Sequence, residues 1–279
     1  MTPDAVAAAA QRRLPTRLVL LGAPVSHSLS PRFQNAALRA AGIPLQYEAL
    51  HVEPAAFATT FAALGREGAA GNVTIPHKEA AAAACDELTP LARRVGAVNT
   101  FWRDGARVIG DNTDVGGFTA LARTVLEREP RGVRVLVLGA GGAAAAVLVA
   151  ITGWPGSTVS LHARTSDRAE RLAHRLNLSC RIVADAAAAA SAADVVVNAT
   201  PVGLHDDAEP VPVDSLGASA TVLDLVVRAG ETAWVRHARA RGLRAGGGLP
   251  MLVEQGALAF ERWFGRAPDR VAMWRAVAG

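Results

Sequence analysis

Residues 135–147 read VLVLGAGGAAAAV: four apolar residues, a glycine-rich turn and an alanine-rich stretch. The apolar run predicts a buried strand over 133–138, and the stretch beyond the turn predicts a helix over 142–151. Gly139, Gly141 and Ala144 fall on the G-x-G-x-x-G/A spacing. The first glycine permits the tight turn, the second lets backbone approach a pyrophosphate, and the small third residue lets helix and strand pack closely. The helix start offers free N–H groups and the positive end of its dipole to phosphates. An ordinary glycine-rich turn uses the same residues, so the next strand, 157–162 (STVSLH), bears on the choice. An NAD site carries Asp or Glu at the end of that strand to bond the ribose 2′-hydroxyl. Here Arg164 stands there, within His162-Ala163-Arg164-Thr165-Ser166-Asp167-Arg168, and Arg168 lies one turn into the next helix. Two guanidinium forks suit a 2′-phosphate, so the pattern points to NADP; the alternative is that both arginines are solvated surface.

Working outward, the alternation continues with a helix over 166–177 and strands over 194–199 (DVVVNA) and 221–227 (TVLDLVV). A similar alternation precedes the turn. Residues 17–22 (RLVLLG) read as a buried strand. Ser30-Pro31 opens a helix, with Ser30 as N-cap and Pro31 at the first helical position, and Gly42 ends it. A strand over 45–52, a helix over 54–66, a strand over 69–75 and a helix over 76–85 follow, and Asp104-Gly105 marks a hairpin. Asp114 to about Glu129 reads as a connecting helix. The order β-α-β-α-β favours parallel sheets with right-handed crossovers. The expected fold is α/β: a substrate-binding domain over 17–114 with a mostly parallel sheet, and a Rossmann NADP-binding domain over 115–249. Two last helices, within 250–279, return to the first domain, and the active site is expected in the cleft between the two.

The chain has 279 residues, 51% hydrophobic and 19% charged, enough for a sizeable core and too apolar for disorder. It has no apolar run of the roughly 18 residues that a membrane span needs. The net charge of +4 comes from arginines spread along the chain, which suits a basic pocket for an anionic ligand better than nucleic acid. Cys85 and Cys180 lie far apart without metal-ligand spacing and are expected as buried thiols in a reducing compartment, the cytoplasm. Residues 1–16 lack the basic start and apolar centre of a secretion signal.

One further stretch stands out. NVTIPHK, residues 72–78, contains the only lysine among 29 basic residues. A lysine can lose its proton and an arginine in effect cannot, so Lys78 points to acid–base chemistry. Asp114, in GDNTD, is the candidate carboxylate partner.

Five stretches together resemble the NADP-dependent shikimate dehydrogenase family: GAPVSHSLSPRFQN (22–35), GNVTIPHK (71–78), GAVNT (96–100), GDNTD (110–114) and GGGLPMLVEQGALAFERWFG (246–265). The resemblance runs from about residue 17 to 265. It implies reversible reduction of 3-dehydroshikimate to shikimate by NADPH, with Lys78 and Asp114 as the catalytic pair. It also implies that Ser28 and Ser30 bind the substrate carboxylate, and that Thr74, Asn99, Asp114 and Gln255 bond the ring hydroxyls. Implied cofactor contacts are Gly139, Ala140, Gly141, Gly142, Ala143, Ala163, Arg164, Thr165, Arg168, Thr200, Leu225, Gly248 and Met251. Asn99 could instead shape a turn, Gln255 be a solvated helix residue and Met251 belong to the core. His27 and His77 read as packing residues.

The chain departs from the family at several positions. Gln34 stands where a histidine is usual, Ala163 replaces an asparagine, and Ala145 replaces a polar or basic residue. Val227 occupies the position of a tyrosine that reaches the substrate, and the only tyrosine here is Tyr47. Three alternatives stay open: a quinate-oxidising relative using NAD, an NADP-binding regulator without turnover, and a methylene-tetrahydrofolate dehydrogenase of similar fold. The expected partners are a small-molecule substrate and NADP, with no nucleic acid or membrane, in a monomer or homodimer.

Overall fold

The computed structural model describes residues 14–278, and its chain divides into two compact units. One ends at Thr113 and resumes at Val253; the other runs from Asp114 to Leu252.

The first unit contains β1 (Leu18–Gly22), α1 (Ser30–Ala40), β2 (Tyr47–His51), α2 (Pro54–Glu67), β3 (Ala70–Val73), α3 (Lys78–Ala84), β4 (Glu87–Leu88), α4 (Pro90–Val95), β5 (Thr100–Asp104) and β6 (Arg107–Asp111). Its sheet has the order β2-β1-β3-β5-β6-β4. β1 pairs in parallel with β2 and β3, and β4 with β6, whereas β5 runs antiparallel to β3 and β6. β1 is buried along its whole length, as its unbroken apolar run requires in a sheet covered on both faces. α2 places Phe57, Phe61 and Leu64 on one stripe at helical spacing, and that stripe packs against Val19, Leu21, Val73 and Phe101. Removing the Phe61 ring would cost about 3–5 kcal/mol. The β5–β6 hairpin turns at Gly105, whose φ of +59° only glycine adopts without strain.

Ser30 is not the N-cap of α1. Leu29 holds that position with helical dihedrals, and the Ser28 hydroxyl accepts the Ser30 N–H at 3.2 Å. A turn closed by Ser28 N–H to Val25 C=O at 3.1 Å precedes the helix. β3 stops at Val73, two residues short of the expected strand.

The second unit contains α5 (Asp114–Leu126), β7 (Arg134–Leu138), α6 (Gly142–Ile151), β8 (Thr158–His162), α7 (Ser166–Arg175), β9 (Arg181–Ile182), α8 (Ala186–Ser191), β10 (Val195–Asn198), a 3₁₀ turn (Val213–Ser215), β11 (Thr221–Asp224), α9 (Ala233–Ala240) and β12 (Arg244–Gly246). Its sheet is wholly parallel, in the order β12-β11-β10-β7-β8-β9. α6 is buried from Ala144 to Ile151, and small residues there let its backbone lie close to its neighbours. α5 ends at Leu126 because Glu127 turns left-handed at φ +54°. β11 ends at Asp224, whose carboxylate takes the Val226 N–H from the ladder. Helix α10 (Leu249–Phe264) begins in the second unit, and the first unit resumes within it and takes in α11 (Arg270–Arg275). No described helix is long and apolar enough to cross a membrane.

Candidate active site

In the first unit the register of the sheet gathers the sequence motifs at one edge. β1 and β3 are parallel, so the segments leaving Gly22 and Val73 emerge on the same side. They carry Ser28 and Ser30, and Thr74 and Lys78. A Cβ on Gly22 would lie 2.4 Å from the Thr74 methyl, so the two segments cross only because residue 22 is glycine. The Ala23 N–H donates to Ile75 C=O at 3.0 Å and ties them. β5 runs the other way, so its first residue, Thr100, faces Asn72, and Asp111 at the end of β6 faces Thr100. Asn99, Asp111, Asn112 and Thr113 therefore arrive at the edge that carries Lys78. This is the carboxyl end of the parallel strands, where open α/β sheets bind their ligands.

Ser30 is buried, while Ser28, Thr74 and Lys78 are half-buried. Lys78 is the first residue of α3, and its C=O accepts the Val98 N–H at 2.9 Å, which fixes its backbone beside Asn99. Asn99 is 2% exposed. Its Oδ1 accepts the Thr113 N–H at 2.7 Å, and its Nδ2 donates to Gln255 Oε1 at 3.0 Å. Gln255 is 8% exposed, so it is not a solvated helix residue. Beside this pair, the buried Asp111 accepts Arg262 Nε at 2.7 Å and the Asn112 N–H at 2.8 Å, and takes the Thr89 hydroxyl. Gln34 donates to Gly256 C=O at 2.9 Å. His77 packs as expected, stacked on Phe57 with Nε2 2.6 Å from Val52 O, whereas His27 is exposed.

In the second unit Asp114 opens α5 and is 4% exposed. Gly139 has φ +116°, and a Cβ there would lie 2.7 Å from Ala199 O, so the turn demands glycine twice over. A Cβ on Gly141 would meet nothing within 4 Å, which leaves that face of the turn open to a ligand. No side chain caps the start of α6; Ala140, Gly142 and Ala143 are half-buried around it. At the end of β8, Ala163 is half-buried, while Thr165, Arg164 and Arg168 are exposed. Neither guanidinium is hydrogen-bonded or ion-paired among the described residues. An open glycine turn, an uncapped helix start and two uncommitted arginines fit a dinucleotide carrying an extra phosphate.

At the ends of β10 and β11, Asn198 and Asp224 pair in register and form a buried cluster. The Asp224 carboxylate accepts from Asn198 Nδ2 (2.9 Å), the Val226 N–H (3.1 Å) and the Thr232 hydroxyl (2.6 Å). Burial pushes its pKa above the ordinary aspartate value, against the pull of those donors. Asn198 Oδ1 in turn accepts the Thr200 N–H and hydroxyl. The Gly248 N–H donates to Val226 C=O at 3.3 Å, and a Cβ on Gly248 would lie 2.5 Å from Leu225 O. Thr200, Leu225 and Val227 are half-buried, and Met251 is buried, as a core methionine would be.

The sequence reading misses Tyr47, Asn72, Thr113 and the supporting role of Asn198 and Asp224. For Asn72, Asn198 and Asp224 the available signal is a polar residue at or next to the end of an apolar strand run, as in AGNV, VVVN and TVLD. Cys85 and Cys180 are half-buried rather than buried; both are free thiols, and burial pushes Cys85 up to about 12.

The shikimate dehydrogenase substrate binding domain matches residues 20–101, and the shikimate 5′-dehydrogenase C-terminal domain matches residues 248–278. A shikimate dehydrogenase (NADP(+)) of Symbiobacterium thermophilum is 44% identical over 273 residues, covering 91% of each chain. Shikimate 5-dehydrogenase of Thermus thermophilus, crystallised with NADP(H) and shikimate, is 40% identical with a TM-score of 0.85, covering 93% of this chain and 97% of that one. The ligand-free 5-ketofructose reductase of a Gluconobacter species is 29% identical with a TM-score of 0.83, covering 95% and 98%.

Proposed function

The chain belongs to the shikimate dehydrogenase family, and on that premise we propose that it interconverts 3-dehydroshikimate and shikimate with NADP as cofactor, in aromatic amino-acid biosynthesis. What supports this most is the buried Asn99–Gln255 amide pair at the strand edge that carries the chain's only lysine. A ring bearing several hydroxyls needs matched donors and acceptors, because buried polar groups left unpaired reject the wrong substrate.

Bound NADPH supplies the hydride. Lys78 holds a proton at Nζ and releases it to the carbonyl oxygen as the ketone becomes an alcohol; in the reverse direction Nζ takes the proton back. Asp114 is its carboxylate partner. Ser28 and Ser30, at the start of α1, bind the ring carboxylate, where hydroxyls and main-chain N–H groups both favour an anion. Thr74, Asn99, Asp114 and Gln255 bind the ring hydroxyls. Gly139 to Ala143 cradle the pyrophosphate, Arg164 and Arg168 take the 2′-phosphate beside Ala163 and Thr165, and Thr200, Leu225, Gly248 and Met251 complete the cofactor site. The two free thiols suit a reducing compartment, and we place the enzyme in the cytoplasm.

Val227 favours a second reading, in which the enzyme also accepts quinate or a related ring acid. Valine cannot donate the hydrogen bond of the usual tyrosine, and one such bond is worth about 0.5–1.5 kcal/mol. The 5-ketofructose reductase shows the same fold serving another substrate. Initial rates with shikimate and quinate, each with NADP and NAD, test both readings. Shikimate with NADP is expected to be fastest; a marked preference for NAD would overturn the assignment of Arg164, and turnover of quinate alone that of the substrate.

A further inference from the structure

We infer that Tyr47 and Asn72 are positioning residues, which act on the substrate through Asn99 and rest on the function proposed above. Tyr47 is 1% exposed and Asn72 5%, and neither is among the ligand contacts proposed above. The Tyr47 hydroxyl donates to Asn72 Oδ1 at 2.7 Å, and Asn72 Nδ2 donates to the Asn99 main-chain O at 3.0 Å. That oxygen only accepts, so Asn72 must turn its NH₂ toward it, its Oδ1 must face Tyr47, and the phenol must be the donor. The amide cannot be flipped without placing oxygen against oxygen.

The relay is anchored at its far end. The Asn35 side chain clamps both main-chain groups of Tyr47, accepting its N–H at 2.8 Å and donating to its C=O at 3.0 Å. Trp263 stacks on the phenol ring at 5.9 Å. Burial pushes the pKa of the phenol well above its usual value, so it stays a donor across the working range. At the near end the main chain of Asn99 is held at both polar groups: its N–H donates to Asp111 O, and its O accepts both the Val73 N–H and Asn72 Nδ2. Two of these are main-chain ladder bonds. The third comes from a side chain, and it adds a second donor to the carbonyl of the residue whose amide reaches Gln255. The chain has 7 Phe and 5 Trp but a single Tyr, placed where a hydroxyl has this acceptor, so the ring alone does not account for the choice.

Tyr47→Phe removes one oxygen and keeps the stack, the Asn35 clamp and the ladder. The expected result is a KM for shikimate raised roughly tenfold, the scale of one buried hydrogen bond, with the KM for NADP unchanged. In an Asn72→Ala background the same change should add nothing, because the two residues act in series. An unchanged shikimate KM, or an equal rise in both KM values, would overturn the relay. Failure of the parent to oxidise shikimate with NADP would instead count against the proposed function. In that case the crystal structure of Tyr47→Phe decides the relay: an Asn99 amide displaced from Gln255 upholds it, and an unmoved one overturns it.

Discussion

Each of the two sheets ends in a buried polar cluster, and the clusters differ in kind. In the first unit Tyr47, Asn72, Asn99, Thr113 and Gln255 are joined to one another through neutral groups, beside the buried Asp111, which Arg262 meets. In the second unit the cluster centres on the Asp224 carboxylate, which among the described residues accepts from neutral donors alone. A neutral network enforces orientation, because each amide has one workable direction. A carboxylate gathers donors from several segments at once, but its desolvation raises its pKa and makes the cluster sensitive to pH. The candidate ligand contacts differ in the same sense. The first unit offers buried side chains at fixed angles, suited to a ring of hydroxyls. The second offers open backbone and exposed guanidinium groups, suited to phosphates.

The largest expected effect falls on the chemistry. Lys78→Ala should lower turnover about 10²–10⁴-fold, and Lys78→Arg should not rescue it, since a guanidinium does not release its proton. Steady-state rates of NADP reduction check this. Asn99→Ala removes the centre of the neutral network. It should lower kcat/KM for shikimate on the order of a hundredfold, equivalent to two hydrogen bonds of about 1.4 kcal/mol each. Arg164→Ala should raise the KM for NADP about tenfold and narrow the preference over NAD, because one charged hydrogen-bonding fork is lost. The smallest effect is on stability. The pKa of Asp224 is raised in the folded protein, so its contribution is complete below the unfolded pKa and is lost as pH rises through the folded one. Asp224→Asn keeps Oδ1 as acceptor and gives Thr232 a donor. Its denaturation midpoint should therefore lack that loss across the same pH range, and an identical pH dependence in parent and variant would remove Asp224 as its source.

The glycine turn, Arg164, the Asp104-Gly105 hairpin and the helix of Phe57, Phe61 and Leu64 are legible in the sequence because each is a local pattern. Several short elements are not. Glu87–Leu88 and Arg244–Gly246 are too brief to show a period, and the alanines of Ala186–Ser191 carry no distinct face. Ser28, rather than Ser30, bonds the first turn of α1, a matter of backbone angle that residue type leaves open. The neutral network is illegible for another reason. Its bonds join residues 25, 27 and 156 positions apart, so the register of β2, β1, β3 and β5 and the placement of α10 are what bring them together. The individual residues can be singled out by resemblance, but their support cannot.

The central claim is a division of labour, with the neutral cluster reading the ring and the arginine-bearing turn reading the cofactor. Its most direct test is a crossed measurement of the KM for shikimate and the KM for NADP in both Asn99→Ala and Arg164→Ala. The account predicts that Asn99→Ala moves only the shikimate value and Arg164→Ala only the NADP value. A variant that moved the other ligand's value as strongly as its own would contradict it.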